Sequence, residues 1–211
     1  MEIILIGGGG NCKKIIDIIA SYDYKIIGIL DDKYENDQNY FYRNTKIIGK
    51  ISELPKYKKY QIIMTIGNIN FRSHFFDTYN DYNFPNLLHK SCCISESAIL
   101  GKGVVVHYGV YIGPDAIIGN FCHLDTRCIV EHDCLLNTNI MVCPGVNICG
   151  SVKIKDNVFI GAGTIIINST YKKEIVLNDK CVIGAGSLII KSIDTNILYY
   201  GTPLLNNLKD V

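Results

Sequence analysis

What this chain lacks narrows its function before any motif is read. An excess of charge of one sign is missing: 21 Lys and Arg stand against 20 Asp and Glu, a net charge of +1. That balance excludes the basic footprint of a nucleic-acid binder. There is no apolar run of about 18 residues and no signal-peptide core, so nothing is expected to span a bilayer, and a cytoplasmic location follows by default. Cysteine is plentiful, with nine residues, yet no CxxC pair at zinc-site spacing occurs, and Cys92 and Cys93 are adjacent, which suits neither a disulfide nor a metal. The full dinucleotide fingerprint G-x-G-x-x-G is absent as well: after Gly7-Gly8-Gly9-Gly10 the third glycine would fall at Cys12 or Lys13.

What is present is a repeat of period six. From Ile94 through Leu100, Val106 and Ile112 to Ile166, every sixth residue is aliphatic, thirteen positions in all. Four residues after each comes a small or slim side chain, among them Ala98, Val110, Ala116, Cys122, Cys128, Cys134 and Thr164. A helix repeats its apolar face every 3.6 residues and a strand every two, so neither explains the pattern. Period six is the signature of a parallel β-helix whose coils have three flat sides and stack about 4.8 Å apart. Cys122, Cys128, Cys134 and Cys181 fall on the small interior position, where cysteine acts as a small hydrophobe. After Ile166 the phase slips and resumes at Leu177, Ile183 and Ile189, so Ile167–Val176 is a loop projecting from a coil.

Upstream, the pattern is that of an α/β unit. Residues 2–6 form a buried strand entering the glycine run, and 12–20 a helix with an apolar face. Lys25–Leu30 is a second strand ending in Asp31-Asp32, after which Lys33 opens a polar loop. Residues 46–48 form a short strand and 52–54 a turn of helix. Gln61–Ile66 is a further buried strand before Gly67-Asn68, and a helix follows over about 70–79. This unit, 1–88, is too small for a complete dinucleotide-binding domain; 89–211 forms the β-helix, with residues from 193 onward covering its open end.

The glycine run can bind phosphate through N–H groups at a helix N-terminus, with Asp31 or Asp32 accepting from ribose hydroxyls. The same residues also read as a plain turn beside a solvated acidic loop. In Glu131-His132-Asp133, neither His132 nor Asp133 takes an interior position. A carboxylate bonded to one ring nitrogen raises the basicity of the other, which suits a general base; a surface histidine with acidic neighbours is the bland alternative. His107, His123 and His132 point from different parts of their coils, so a zinc centre of the carbonic-anhydrase kind is disfavoured. Singly, His107 and His123 read as solvent or interface histidines.

Several motifs, in order and over nearly the full length, resemble a known group. They are Gly7–Gly10, Leu30-Asp31-Asp32, Ile66-Gly67-Asn68, Ile129 to Cys134, Pro144-Gly145, Cys149-Gly150-Ser151-Val152, Ile160 to Gly163 and Gly201-Thr202-Pro203. The chain resembles the nucleotide-sugar acetyltransferases related to sialic acid O-acetyltransferases and UDP-4-amino-sugar N-acetyltransferases. The resemblance implies a Rossmann-like half domain followed by a left-handed parallel β-helix that assembles as a homotrimer, with acetyl-CoA as cosubstrate and no metal. It implies that Gly8, Gly9, Gly10, Asn11, Asp31, Asp32, Gly67 and Asn68 bind a nucleotide sugar, UDP-linked in that group. It makes His132 the base, Asp133 its orienting partner and the Gly150 N–H the donor to the thioester carbonyl. Ala162, Gly163, Gly184 and Ala185 would let the pantetheine arm lie close to the backbone.

Three positions depart from the group. Asn11 stands where a His is common, and Met141 stands where a His lies near acetyl-CoA. Asp125 replaces an Asn that contacts the sugar's reacting group; it could hold an ammonium, and it reads equally as an outward turn residue. The activity expected is N-acetylation of a nucleotide-linked amino sugar. Sugar O-acetylation by the same machinery and a non-catalytic nucleotide-sugar-binding trimer are the alternatives.

Overall fold

A computed structural model of the protein describes residues 1–33 and 42–201. Most of the expected polar loop after Lys33, and the end of the expected C-terminal cap beyond Gly201, lie outside the described residues. The chain forms two compact units, Met1–Lys90 and Ser91–Val211. Among the described residues no helix is long and apolar enough to cross a membrane.

In the first unit, β1 (Glu2–Ile6), β2 (Lys25–Leu30), β3 (Ile47–Gly49) and β4 (Gln61–Met64) form a parallel sheet in the order β3-β2-β1-β4. Ile3 to Ile6 are fully buried, as expected of a central parallel strand covered on both faces. Helix α1 (Gly10–Ile19) packs through Cys12, Ile15, Ile16, Ile18 and Ile19. Helix α2 (Ile69–Thr78) buries Phe75 and Phe76, which meet edge to face. Between β3 and β4 the chain makes only a 3₁₀ turn, Ile51–Tyr57, anchored by Ile51 and Leu54. Strand β4 stops two residues short of the expected Ile66, and Thr65 beyond it gives both its N–H (3.0 Å) and its hydroxyl (2.7 Å) to the Ile6 carbonyl. Gly7 has φ +100°, and a side chain there would meet Ile66 Cγ1 at 2.3 Å, so the turn after β1 requires glycine. The strand order reverses between β1 and β4, which places a crevice at their carboxyl ends.

The second unit is a left-handed parallel β-helix of hexapeptide repeats. Two-residue strands pair with a step of 18 residues along three columns: Ile99–Ile117–Leu135–Lys153, Val105–His123–Met141–Phe159 and Tyr111–Ile129–Asn147–Ile165. One coil is therefore three hexads. Every hexad aliphatic from Val106 to Ile189 is fully buried, each worth about 1.5–3 kcal/mol of transfer free energy. The polar side chains at small positions are satisfied locally: Thr164 donates to Gly161 O (2.8 Å) and Ser187 to Gly184 O (2.7 Å).

The corners turn through residues with positive φ, including Asp115, Arg127, Asp133, Asn139 and Ser151 at 57–61°. Asp and Asn tolerate this region. Corner amides bond to the coil before, as in Asp133 N–H to Pro114 O (3.0 Å) and Ser151 N–H to His132 O (2.9 Å). The phase slip appears as a step of 23 between Lys153 and Val176. The extra residues form a small hairpin in which Thr170 and Lys173 pair, with the Lys153–Glu174 ion pair (2.6 Å) bracing its base. Val176, expected in the loop, already belongs to the next strand, and Ile175 is buried.

Candidate active site

Two candidate sites emerge, one in each unit. The first is a cleft of about 360 Å³ at the carboxyl end of the parallel sheet, lined by Gly7, Gly9, Gly10, Asn11, Asp31, Asp32, Lys33, Ile51, Thr65, Ile66, Gly67 and Phe71. Helix α1 begins here, with Gly9 as its N-cap and no side chain capping it. Its first N–H groups carry partial positive charge. Side chains added at Gly9 or Gly10 would meet nothing within 4 Å, so the backbone is open to a close-lying ligand.

Both carboxylates at the end of β2 brace this cleft. Asp31 accepts from the Gly8 N–H and from the Lys33 N–H (2.8 Å), and Asp32 accepts from the Ile51 N–H (3.0 Å). Asn11 donates through Nδ2 to Thr65 O (3.1 Å). Gly8 thus belongs to the frame of the turn rather than to the lining. Asn68, grouped from the sequence with the nucleotide contacts, caps α2: its Oδ1 accepts from the Phe71 N–H at 2.9 Å. Arg72, buried beneath, donates to Ile66 O (3.2 Å) and holds the loop after β4 from inside.

In the second unit His132 occupies a corner column with Pro114, Gly150 and Asn168, each 18 residues from the next. Its Nδ1 lies 2.7 Å from Asp133 Oδ2, and both side chains are about half exposed (52% and 57%). The positive φ of Asp133 (57°) fixes the corner from which its carboxylate reaches back to the ring. With Nδ1–H donating to Asp133, the lone pair sits on Nε2. That nitrogen faces Gly150: a Cβ there would stand 2.5 Å from Nε2. The Gly150 N–H, expected to be open to a thioester carbonyl, instead donates to Asn168 Oδ1 (3.1 Å), while Gly150 O accepts from the Ser169 N–H (3.0 Å). Beside Asp133, the inserted hairpin walls a polar cleft of about 480 Å³ formed with Ser151, Lys153, Ser169, Thr170, Tyr171 and Glu174. Asn168 went unnoticed in the sequence; the signal was its position one coil below Gly150 and two below His132.

A second corner presents a strip without long side chains. Pro144-Gly145, Ala162-Gly163 and Ala185-Gly186 stack through Gly163 N–H to Pro144 O (3.0 Å) and Gly186 N–H to Ala162 O (2.8 Å). Gly145, Gly163 and Gly186 have φ of 69–70°, and a Cβ on any of them would meet nothing within 4 Å. Gly184 differs from the expectation that it lies open, because a side chain there would run into Tyr200 Cβ at 2.8 Å. The open positions are Ala162, Gly163, Ala185 and Gly186.

Of the three departures from the family pattern, Asn11 lines the first cleft, and the two in the β-helix are buried. Met141 is buried, with 6% exposure. Asp125 is buried too, so it does not face solvent; its Oδ1 accepts from the Thr126 N–H (2.7 Å) and lies 3.9 Å from His107 Nδ1. His107 and His123 are buried with ring centroids 4.7 Å apart, so neither is a solvent histidine. Among the described residues no three His, Cys, Asp or Glu side chains converge as a metal site would need. Burial pushes the thiol of Cys134 up to about 11 and those of Cys12 and Cys181 to about 12, as befits packing residues.

A half-Rossmann sheet followed by a hexapeptide β-helix is the architecture of the nucleotide-sugar acetyltransferase group, and comparison with known proteins bears out the resemblance. Residues 2–79 match the family model of the PglD N-terminal domain. Over 103 residues, 49% of the chain, it is 36% identical to uncharacterized protein L142 of Acanthamoeba polyphaga mimivirus, a match covering 20% of that protein. Over 111 residues it is 27% identical to the UDP-N-acetylbacillosamine N-acetyltransferase of Bacillus subtilis (strain 168), covering 50% of each. The matches thus span at most half the length of these curated relatives. Among solved structures, PerB from Caulobacter crescentus in complex with CoA and GDP-perosamine superposes with a TM-score of 0.85 at 25% identity, over 95% of this chain and 94% of that one.

Proposed function

We propose that this protein is an acetyl-CoA-dependent N-acetyltransferase acting on the amino group of a nucleotide-linked amino sugar. The observation that carries this reading is the His132–Asp133 pair, half exposed on a rigid corner, with Nε2 free of the carboxylate and lying over a residue that has no side chain. In the reaction, the sugar amine hydrogen-bonds to Nε2 and attacks the thioester carbon. The carbonyl π pair moves onto oxygen as the C–N bond forms, and His132 takes the amine proton while Asp133 stabilises the imidazolium. Collapse of the tetrahedral species breaks the C–S bond, and His132 returns the proton to the leaving thiolate. The products are the acetamido sugar and CoA.

The cleft of the first unit supplies the handle. The α1 N-terminus and the open Gly9-Gly10 backbone suit a diphosphate, and the lone pairs left on Asp31 and Asp32 suit ribose hydroxyls. We assign the nucleotide as UDP, in line with the substrate named for the Bacillus subtilis relative, although PerB binds a GDP sugar. The strip Ala162, Gly163, Ala185 and Gly186 is the bed for the pantetheine arm, and a homotrimer is the expected assembly. The test is acetyl transfer from acetyl-CoA to a panel of UDP- and GDP-linked amino sugars and their hydroxyl counterparts. Wild-type protein should acetylate an amine, and His132→Ala should lower kcat by roughly 10²–10⁴-fold without loss of fold. An unchanged rate in that variant removes His132 from the mechanism; turnover only with hydroxyl acceptors makes the protein an O-acetyltransferase.

A further inference from the structure

Corners of the β-helix recur in a simple form: a backbone N–H on one coil is taken by a side-chain oxygen on the next. Asn120 Oδ1 accepts from the Lys102 N–H (2.9 Å), Asp156 Oδ1 from Thr138 (2.8 Å) and Asp179 Oδ1 from Asp156 (2.9 Å). Asp and Asn are interchangeable there, since only an oxygen is used. Asn168 does the same for Gly150, but its position sets it apart. The amide it takes belongs to the residue that lies against His132 Nε2, so this side chain stands one backbone amide away from the basic nitrogen.

A nucleophile held by Nε2 must have its thioester carbon within bonding reach, which brings the acyl oxygen to the same corner. The Gly150 N–H is already committed to Asn168 Oδ1. The other half of the Asn168 amide, Nδ2 with its two N–H groups, makes no hydrogen bond among the described residues, and the residue is exposed. Donation from Gly150 to Oδ1 draws electron density through the amide and makes the Nδ2 hydrogens better donors. The Ser169 N–H bond to Gly150 O (3.0 Å) fixes the following residue of the same loop to this corner.

We propose that Asn168 Nδ2 is the hydrogen-bond donor to the acyl carbonyl oxygen during acetyl transfer, an assignment that deepens the N-acetyltransferase reading and rests on it. As the amine forms its bond to the carbonyl carbon, the π pair moves onto oxygen and is held there by Asn168 N–H. The pair returns when the C–S bond breaks, and Asn168 neither gives up nor gains a proton. Removing such a donor costs about 10²–10³ in kcat.

Three substitutions test the assignment, each with kcat, KM for acetyl-CoA and a melting curve. Asn168→Asp retains an oxygen for the Gly150 N–H and should melt near the wild type, yet lose roughly 10²–10³-fold in kcat with little change in KM. Asn168→Ser, whose hydroxyl can both accept and donate, should lose less than Asn168→Asp; if the Asp variant fails to fold, the Ser and Ala variants decide, with Ser the faster. Asn168→Ala bares the Gly150 N–H. Wild-type kcat in Asn168→Asp overturns the assignment and leaves Asn168 as one more corner bond. A kcat in Asn168→Ala equal to or above wild type overturns it in favour of Gly150 as the donor. A wild-type protein silent with every acceptor overturns the acetyltransferase reading and this assignment together, which separates that failure from the other two.

Discussion

The face of Gly150 lies directly against the imidazole of His132, so that a methyl group there would stand 2.5 Å from Nε2 and 2.6 Å from Cε1. Gly150 has no positive φ to accommodate, so the absence of its side chain is what seats the ring. Gly150→Ala should therefore displace His132 and lower kcat by about 10²-fold, with a melting temperature close to wild type. Steady-state kinetics beside a thermal melt checks it; retained kcat would mean that the ring works from another position.

Asp31 ties the end of β2 to the glycine turn and to the start of the next loop. Asp31→Ala leaves two backbone N–H groups to water and should destabilise the first unit by about 1–3 kcal/mol. It should also raise KM for the nucleotide sugar while KM for acetyl-CoA stays the same. Equal rises in both constants would argue against a nucleotide site in this cleft.

Asn68 gives a contrasting case. As the N-cap of α2, its replacement by Ala should cost about 1 kcal/mol and leave the nucleotide-sugar KM unchanged. Isothermal titration with the nucleotide sugar decides between cap and contact, since a marked loss of affinity would return Asn68 to the ligand.

The buried cysteines set an alkaline limit. In the fold Cys134 stays protonated up to about 11 and Cys12 and Cys181 to about 12, whereas the unfolded thiols ionise from near 9.0. A fold that favours the neutral acid keeps its full contribution below pH 9 and loses it as the pH climbs toward the folded values. Melting temperatures should fall from about pH 9 upward, and thiol reagents at pH 8 should reach Cys93, which is exposed, before the buried set. Rapid labelling of Cys128 in folded protein would contradict this.

Much of the architecture was open to reading because a period of six is hard to mistake. The hexad rule holds at every interior aliphatic from Val106 to Ile189, and the slip after Ile166 proved to be an inserted hairpin. Local signals also carried the half-Rossmann sheet, with strand ends off by one or two residues, as at β3 and β4. What the linear pattern could not supply was direction. Position in the hexad marks a residue as facing outward, but outward did not mean solvent for Asp125, His107 or His123. Nor does a motif reveal that Asn168 reaches one coil back to Gly150, or that Tyr200 covers Gly184. Contacts of this kind depend on the step between coils, 18 residues at Asn168 and 16 at Tyr200, which becomes visible only when coils are stacked.

The hairpin inserted after Ile166 has a wider consequence. Interior packing resumes in phase at Leu177 as though nothing had been added, so the prism is indifferent to how much chain leaves at that corner, provided the same rung is rejoined. Residues 170–173 can thus change length and chemistry, and with them the wall beside Asp133, while Ser169 and Glu174 keep the hairpin tied to its coil. On the acetyltransferase reading, the acceptor can diversify at that edge while His132 and Asp133 stay where they are.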